Sequence, residues 1–181
     1  MKTLLRIVAG FIALIVVIIL VAYIDGATLP VDHSVTVTGV VDAPPDKVFA
    51  LITNVAAAPT WRHEVQSVQI LPPRPSPDGP QDHWIEDLGH HTTMNFIATR
   101  TTPVDLNGHA QRDVLLKDPS YGGTWTYLLS PGPSPTQTTL NITERGYINP
   151  PIYRFVMAHI FGMTKNLDQY LAEIKTAAAK P

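Results

Sequence analysis

The sequence predicts an α+β fold in which a curved antiparallel sheet of about seven strands wraps round a long carboxy-terminal helix. Two short helices are expected after the first strand, and a single transmembrane helix in front of it. Three observations support this prediction. Residues 7–24 form an unbroken run of eighteen uncharged, almost wholly apolar residues. Most later segments alternate polar and apolar residues with the period of two that is typical of strands with one buried face. Residues 151–179 instead repeat their apolar residues at helical spacing.

The apolar run has the length of a membrane span. At about 1.5 Å per residue, a helix of this length reaches roughly 27 Å, close to the thickness of the hydrocarbon core of a bilayer. A signal peptide usually has a shorter apolar core and a small-x-small cleavage site, and residues 23–27 offer no clean site of that kind. We therefore expect an uncleaved anchor, the alternatives being a cleaved signal peptide and a buried helix of a soluble protein.

The charges that flank the run indicate its orientation. Lys2 and Arg6 precede it, whereas Asp25 and Asp32 are the charges that follow soon after it. Basic residues tend to remain on the cytoplasmic side of a membrane. The sequence thus predicts a single-pass protein of the cell membrane, with a cytoplasmic amino terminus and an extracytoplasmic carboxy-terminal domain.

Length and composition limit what the remainder of the chain can be. Residues 1–32 are predicted to be the anchor with a short linker, and residues 33–181 have the usual size of one domain. The net charge is −2 and the basic residues are scattered, so no surface for nucleic acid is indicated. The chain has no cysteine, which excludes disulfides, thiolate zinc sites and thiol nucleophiles.

Local patterns define the elements of the domain. Residues 34–41 alternate and are β-branched, as in a strand, and the prolines and acidic residues of segment 42–46 suit the first turn of a helix. A second short helical turn at residues 56–61 carries Trp61. Further strands are predicted over residues 65–71, 82–88, 92–101, 110–116, 123–129 and 136–144. Residues 151–179 form the long helix, with Gly162 as a point where it can bend.

Four stretches of the domain are similar to a known superfamily. They are Val40–Ile52, Pro59-Thr60-Trp61-Arg62 with the strand Val65–Leu71, the hairpin Gly122–Tyr127 with Thr139–Gly146, and the helix from Pro151–Phe155 through Leu167–Leu171. With this order the chain from about His33 to Ala179 resembles the START-like, helix-grip proteins of the SRPBCC superfamily, nearest to the polyketide cyclase/dehydrase and lipid-transport-like branch. The resemblance implies the helix-grip fold. It leaves the function open, because such proteins include lipid carriers, hormone receptors, cyclases, hydrolases and chaperone regulators.

Few residues point to catalysis or to a metal. The seven histidines include no H-x-x-x-H pair, and His90-His91 lies in a predicted turn where side chains diverge. Neither a metal nor another cofactor is therefore expected, and the sequence contains no nucleophile motif or phosphate loop. Glu86 and Asp87 face opposite sides of one strand and cannot act as a pair. The inward one is a candidate general base or ligand contact, but no catalytic residue is predicted.

Binding of an apolar ligand is better supported by the sequence. A curved sheet and one helix cannot fill the space between them, so a cavity lined by apolar and aromatic side chains is expected. Rings with polar tips and adaptable methionines suit its walls. The predicted ligand-binding residues are Trp61, Trp84, Met94, Phe96, Trp125, Tyr127, Tyr153, Met157, His159 and Met163. Packing in the core is the alternative role for each of them. Arg154 and Glu144 are expected to form a structural ion pair near the start of the last helix.

The sequence thus predicts a membrane-tethered domain that binds or carries a hydrophobic small molecule, such as a lipid or a polyketide-like compound. Two alternatives remain open. One is a polyketide cyclase or dehydratase, in which a polar residue in the same cavity assists proton transfer. The other is a protein-interaction module with a filled core. The size of the cavity separates this module from the first two, and a polar residue needed for turnover but not for binding separates the enzyme from the carrier.

Overall fold

A computed structural model describes residues 2–180 as one long amino-terminal helix followed by a domain with a seven-stranded sheet. The helices are α1 (Lys2–Thr28), α2 (Pro45–Thr53), α3 (Pro151–Val156) and α4 (Lys165–Ala178), with a 3-10 turn at Val55–Thr60 and a π turn at Met157–Phe161. The strands are β1 (Asp32–Val41), β2 (Ser67–Arg74), β3 (Gln81–Asp87), β4 (Thr93–Thr102), β5 (Ala110–Lys117), β6 (Tyr121–Pro131) and β7 (Thr138–Ile148). Each predicted strand is confirmed, with its ends shifted by at most four residues.

Helix α1 contains the apolar run and stands almost wholly exposed. Ala22 and Gly26 are its buried residues, and both lie near its carboxy-terminal end. Within residues 2–180 it is the one helix long and apolar enough to span a membrane. A membrane anchor and a signal sequence both have this form.

The sheet is antiparallel throughout, with the strand order β1-β7-β6-β5-β4-β3-β2. Asp32 of β1 pairs with Tyr147, and Tyr121 of β6 pairs with Ile148. The start of β1, the start of β6 and the end of β7 therefore lie together where α1 joins the domain, and we call this the anchor end. The opposite end, called the distal end, holds the end of β1 and the turn between β4 and β5.

Helix α4 packs along the inner face of the sheet. Its apolar stripe is buried, and Leu167 and Ile174 are completely inaccessible to solvent. Gly39 of β1 lies under the helix, where a Cβ atom would come within 2.7 Å of the Leu171 side chain. Because full burial of one Leu or Ile contributes about 1.5–3 kcal/mol, this stripe is a major source of stability.

The single long helix predicted for residues 151–179 is only partly confirmed, because the structure divides it. Helix α3 and the π turn end at Gly162, whose φ of 85° is a left-handed conformation that glycine adopts without strain. The two halves have different partners, since α3 packs on α1 whereas α4 packs on the sheet. The apolar periodicity continues through the break and did not reveal it, but the break falls at Gly162, the residue at which the sequence predicted a bend.

Arg154 fastens α3 to the end of α1. Its guanidinium is buried and donates hydrogen bonds to the carbonyl oxygens of Gly26 at 2.8 Å, Ile148 at 2.9 Å and Asn149 at 2.6 Å. The predicted ion pair between Arg154 and Glu144 is therefore wrong. Glu144 instead lies 3.6 Å from Nε2 of His33. The carbonyls of helix and strand ends need donors, and one planar guanidinium supplies three of them here.

We expect replacement of Arg154 by Ala to loosen α3 from α1. Three partly buried carbonyls would lose a charged donor, which costs about 3 kcal/mol. Amide hydrogen exchange of residues 151–161 in the full chain, measured by mass spectrometry in a mild detergent, should then accelerate roughly 100-fold. Arg100→Ala on the exposed part of β4 serves as the control and should leave this exchange unchanged. Unaltered exchange in Arg154→Ala would contradict the fastening role.

Candidate functional site

Two adjoining chambers lie between the concave face of the sheet and the carboxy-terminal helices. The deep chamber has a volume of about 170 Å³ and the outer chamber about 440 Å³. They share five wall residues, which are Leu116, Tyr121, Trp125, Glu144 and Asn166. Since small-molecule sites usually enclose roughly 300–1,000 Å³, the two chambers together are large enough for a ligand.

The wall of the deep chamber is mainly aromatic. Trp84 and Phe96 stack with ring centroids 5.5 Å apart. Tyr170 of α4 stands at the centre of the other rings, with centroids 5.5 Å from Trp61, 6.0 Å from Trp125 and 5.4 Å from Tyr127. Such tilted and edge-on contacts fix the rings in place. The helix thus holds an aromatic wall against the concave face of the sheet.

A buried ion pair forms part of the same wall. Glu86 is 2% exposed, and its two carboxylate oxygens each lie 2.7 Å from Nη1 of Arg62. Trp84 donates a further hydrogen bond from Nε1 to Glu86 at 3.1 Å. Burial lowers the pKa of Arg62, but the attraction of Glu86 and its hydrogen bonds to the guanidinium keep the pKa above its ordinary value. Arg62 therefore stays charged, and Glu86 is occupied as its counter-ion.

The phenols beside this pair remain neutral. Burial raises the pKa of Tyr127 and of Tyr170, so both keep their protons at physiological pH. The deep chamber thus contains rings, a mutually neutralised ion pair and uncharged hydroxyl groups, and the side chains of Glu64, Glu144 and Glu173 also belong to its wall. Such a wall suits a largely apolar ligand that carries a few polar atoms.

Two buried nitrogen atoms on the chamber walls lack partners. Nε1 of Trp61, in the deep chamber, and Nδ1 of His33, in the outer chamber, make no hydrogen bond within the described part of the chain. A buried polar group without a partner costs about 1–3 kcal/mol. Both atoms are inaccessible to solvent, so a ligand would reach either nitrogen only after the surrounding side chains had moved.

The outer chamber lies between the start of β6, the end of β7 and α3 with its π turn. Its walls include Ile152, Tyr153, Val156, Met157, Phe161 and Met163. Gly122 and Gly123 add a stretch of wall without side chains. A Cβ atom on Gly122 would come within 2.6 Å of the Leu116 carbonyl, and Gly123 has a φ of 143°. These positions require glycine, as expected from crowding at the start of a curved strand.

Nine of the ten predicted ligand-binding residues line these chambers. Trp61, Trp84, Met94, Phe96, Trp125 and Tyr127 line the deep chamber, and Trp125, Tyr153, Met157 and Met163 line the outer one. His159 is placed elsewhere, because its exposed ring lies 2.8 Å from Asp25 at the end of α1. The ion pair of Arg62 with Glu86 was not predicted, and neither was the wall position of Tyr121. Tyr170 was noted as a ring suited to a pocket without being placed among the predicted ligand-binding residues, and Arg62 was marked only as part of the turn that carries Trp61.

The histidines give little support to a metal site. Of the seven histidines, His33 alone lines a chamber, the outer one. His90 and His91 occupy left-handed conformations in an exposed turn, with φ angles of 51° and 62°. Among residues 2–180, no three His, Cys, Asp or Glu side chains lie close enough together to hold a metal ion.

Comparison with known proteins identifies the family. The model of the family described as "Polyketide cyclase / dehydrase and lipid transport" matches residues 32–179. The chain belongs to this family, which confirms the resemblance read from the sequence. No curated protein matches the chain significantly.

Solved structures show the same helix-grip fold at low sequence identity. A START superfamily protein from Mycobacterium smegmatis is 17% identical, with a TM-score of 0.58 over 81% of this chain and 97% of its own. Norcoclaurine synthase from Thalictrum flavum is 12% identical, with a TM-score of 0.60 over 83% and 96%. The Zhui aromatase/cyclase from Streptomyces sp. R1128 is 15% identical, with a TM-score of 0.57 over 81% and 93%. Family membership and the apolar cavity together support a domain that binds hydrophobic ligands.

Proposed function

We propose that this protein is a membrane-tethered carrier or binder of a hydrophobic small molecule, either a lipid or a polyketide-like compound. The observation that carries the proposal is the pair of adjoining chambers lined by rings and methionines, with the charges of Arg62 and Glu86 paired against each other. Burial of apolar ligand surface at about 25 cal/mol per Å² supplies the affinity. An unfilled cavity of this size argues against an interaction module with a solid core.

Helix α1 supplies the tether in this proposal. Its apolar run is long enough for a bilayer, and Lys2 and Arg6 favour a cytoplasmic amino terminus. The domain then lies outside the cytoplasm, close to the membrane. Tethering raises the effective concentration of the domain near ligands that reside in or on the bilayer.

Photo-crosslinking to a clickable fatty acid with a diazirine in its chain tests the proposal. The full chain in isolated membranes should be labelled, and the modified peptides should include wall residues such as Met157, Met163 and Trp125. Excess unlabelled fatty acid should compete with the label. Labelling confined to α1, without competition, would overturn the proposal, because it would indicate contact with bulk lipid rather than occupation of the chambers.

One observation favours a second function, that of a cyclase or dehydratase. His33 and Glu144 both line the outer chamber and lie 3.6 Å apart, which is near enough for the two to share a proton with a bound substrate. In an enzyme, Glu144→Gln would abolish turnover while leaving ligand binding intact. In a carrier, the same substitution would change affinity alone.

A further inference from the structure

We propose that the exposed end of the π turn, at Ile160 and Phe161, inserts into the membrane interface. This contact holds the mouth of the outer chamber against the bilayer, so that the ligand enters directly from it. The ligand class is then a bilayer-resident amphiphile with at least one acyl chain, rather than a compound delivered through water. The inference rests on the tether of the proposed function and adds to it a surface, a route of entry and a ligand class.

The first observation is the position of the outer chamber. Its walls come from the start of β6, the end of β7, α3 and the π turn, all of which lie at the anchor end of the domain. The deep chamber continues from it along α4, away from α1. A ligand entering from the anchor end would therefore meet the outer chamber first.

The second observation is the level at which α3 meets α1. Gly26 packs against the backbone of Pro151 and lies close to Cβ of Phe155, and Arg154 binds its carbonyl. The side chain of His159 lies 2.8 Å from that of Asp25. Ala22 and Gly26 are the buried residues of α1, and the apolar run ends at residue 24. Helix α3 and the π turn consequently lie beside the point where the run would leave the hydrocarbon core.

The third observation is the character of the surface that this packing leaves uncovered. Ile160 is 63% exposed and Phe161 is 52% exposed. Nζ of Lys165 lies 4.3 Å from the centroid of the Phe161 ring. Tyr153, which lies on the preceding helix α3, is 52% exposed. Large apolar residues with a neighbouring lysine and tyrosine are the composition that suits a lipid interface.

These observations favour the bilayer as the occupant of this surface. The packing of α3 on α1 sets the position of Ile160 and Phe161 relative to the end of the apolar run, so in our proposal the patch lies at the level of the interface. Phe161 also lines the outer chamber, which makes it a shared boundary between the chamber and the lipid. An acyl chain can pass this boundary without being exposed to water, which removes the main cost of extracting a lipid.

The absence of cysteine makes a direct depth measurement possible. A nitroxide label would be attached at Ile160→Cys of the full chain in phosphatidylcholine/phosphatidylglycerol vesicles. Leu106→Cys provides the matched control, because Leu106 is a fully exposed apolar residue at the distal end. We expect the label at position 160 to be reached by dissolved oxygen and shielded from a water-soluble nickel chelate, and the label at position 106 to be fully accessible to the chelate. Equal access of the chelate to both positions would overturn the inference.

A transfer experiment separates this inference from the proposed function. Ile160 lines neither chamber, so Ile160→Glu should leave the affinity for a fluorescent fatty acid presented in detergent unchanged. Loading of the same fatty acid from vesicles should slow roughly tenfold or more. Leu106→Glu should alter neither quantity. Loading of Ile160→Glu at the wild-type rate would overturn the membrane contact and leave the proposed function standing. A wild-type chain that binds no fatty acid in either form would overturn both.

Discussion

Replacement of Glu86 by Ala is expected to lower the free energy of unfolding by about 3–5 kcal/mol, one of the largest effects of any single substitution in the domain. The side chain of Arg62 is 20% exposed, so its charge would be left largely desolvated and without a counter-ion. Trp84 Nε1 would also lose its acceptor. Breaking a buried pair is costly because the remaining charge has been removed from water without compensation.

Urea unfolding of the full chain in a mild detergent measures this effect. Trp61, Trp84 and Trp125 report on the domain alone, since α1 contains no tryptophan. The double variant Arg62→Met with Glu86→Leu should recover most of the lost stability, because it removes both charges together. Arg100→Ala breaks an exposed pair with Asp113 and should cost at most about 1 kcal/mol. A loss below about 1 kcal/mol in Glu86→Ala would show that the pair is not held in a desolvated site.

Leu116→Trp is expected to weaken binding of a hydrophobic ligand at least tenfold, equivalent to about 1.4 kcal/mol or more. Leu116 belongs to the walls of both chambers, so an indole at this position would obstruct the junction between them. The domain should still fold, because the added volume enters a cavity rather than a close-packed core. Displacement of a fluorescent fatty acid measures the affinity, and urea unfolding verifies that stability is retained.

The matched control for this variant is Ile70→Trp. Ile70 is an exposed aliphatic residue of β2 and lines neither chamber, so the same indole placed there should leave the affinity unchanged. Wild-type affinity in a folded Leu116→Trp variant would contradict the assignment of the chambers as the ligand site.

The sheet could be predicted because each strand carries its own signal. Alternation of polar and apolar residues in segments such as 138–148 reflects one buried and one exposed face, which is a local property. The start of α2 likewise follows from Pro44, Pro45 and Asp46 alone. Gly162 also marked the last helix locally as a point where it can bend, and the helix is interrupted there. By contrast, the role of Arg154 depends on contacts with α1, more than 100 residues earlier in the chain. A pattern within either segment carries no information about such a contact.

The candidate site, like the fold, could be predicted from the sequence only in part. Rings such as Trp84 and Trp125 were predicted as wall residues because large aromatic side chains in a domain with a curved sheet border whatever space remains. Pairing of Arg62 with Glu86 was not predicted, since these residues lie 24 positions apart on different elements. His159 was placed near the cavity by its position on the last helix. Division of that helix turns this side chain toward Asp25 instead.

Native mass spectrometry of the full chain, released from its membrane in a mild detergent, would determine whether the chambers hold a ligand. We expect an apolar molecule to be retained at a stoichiometry of one per chain. The same mass should be retained by Ile70→Trp and found in a much smaller fraction of Leu116→Trp, and organic extraction should recover it as an amphiphile with an acyl chain. A wild-type chain that is empty in every preparation, and that also fails to bind a fluorescent fatty acid or sterol, would contradict the assignment of the chambers as a ligand site.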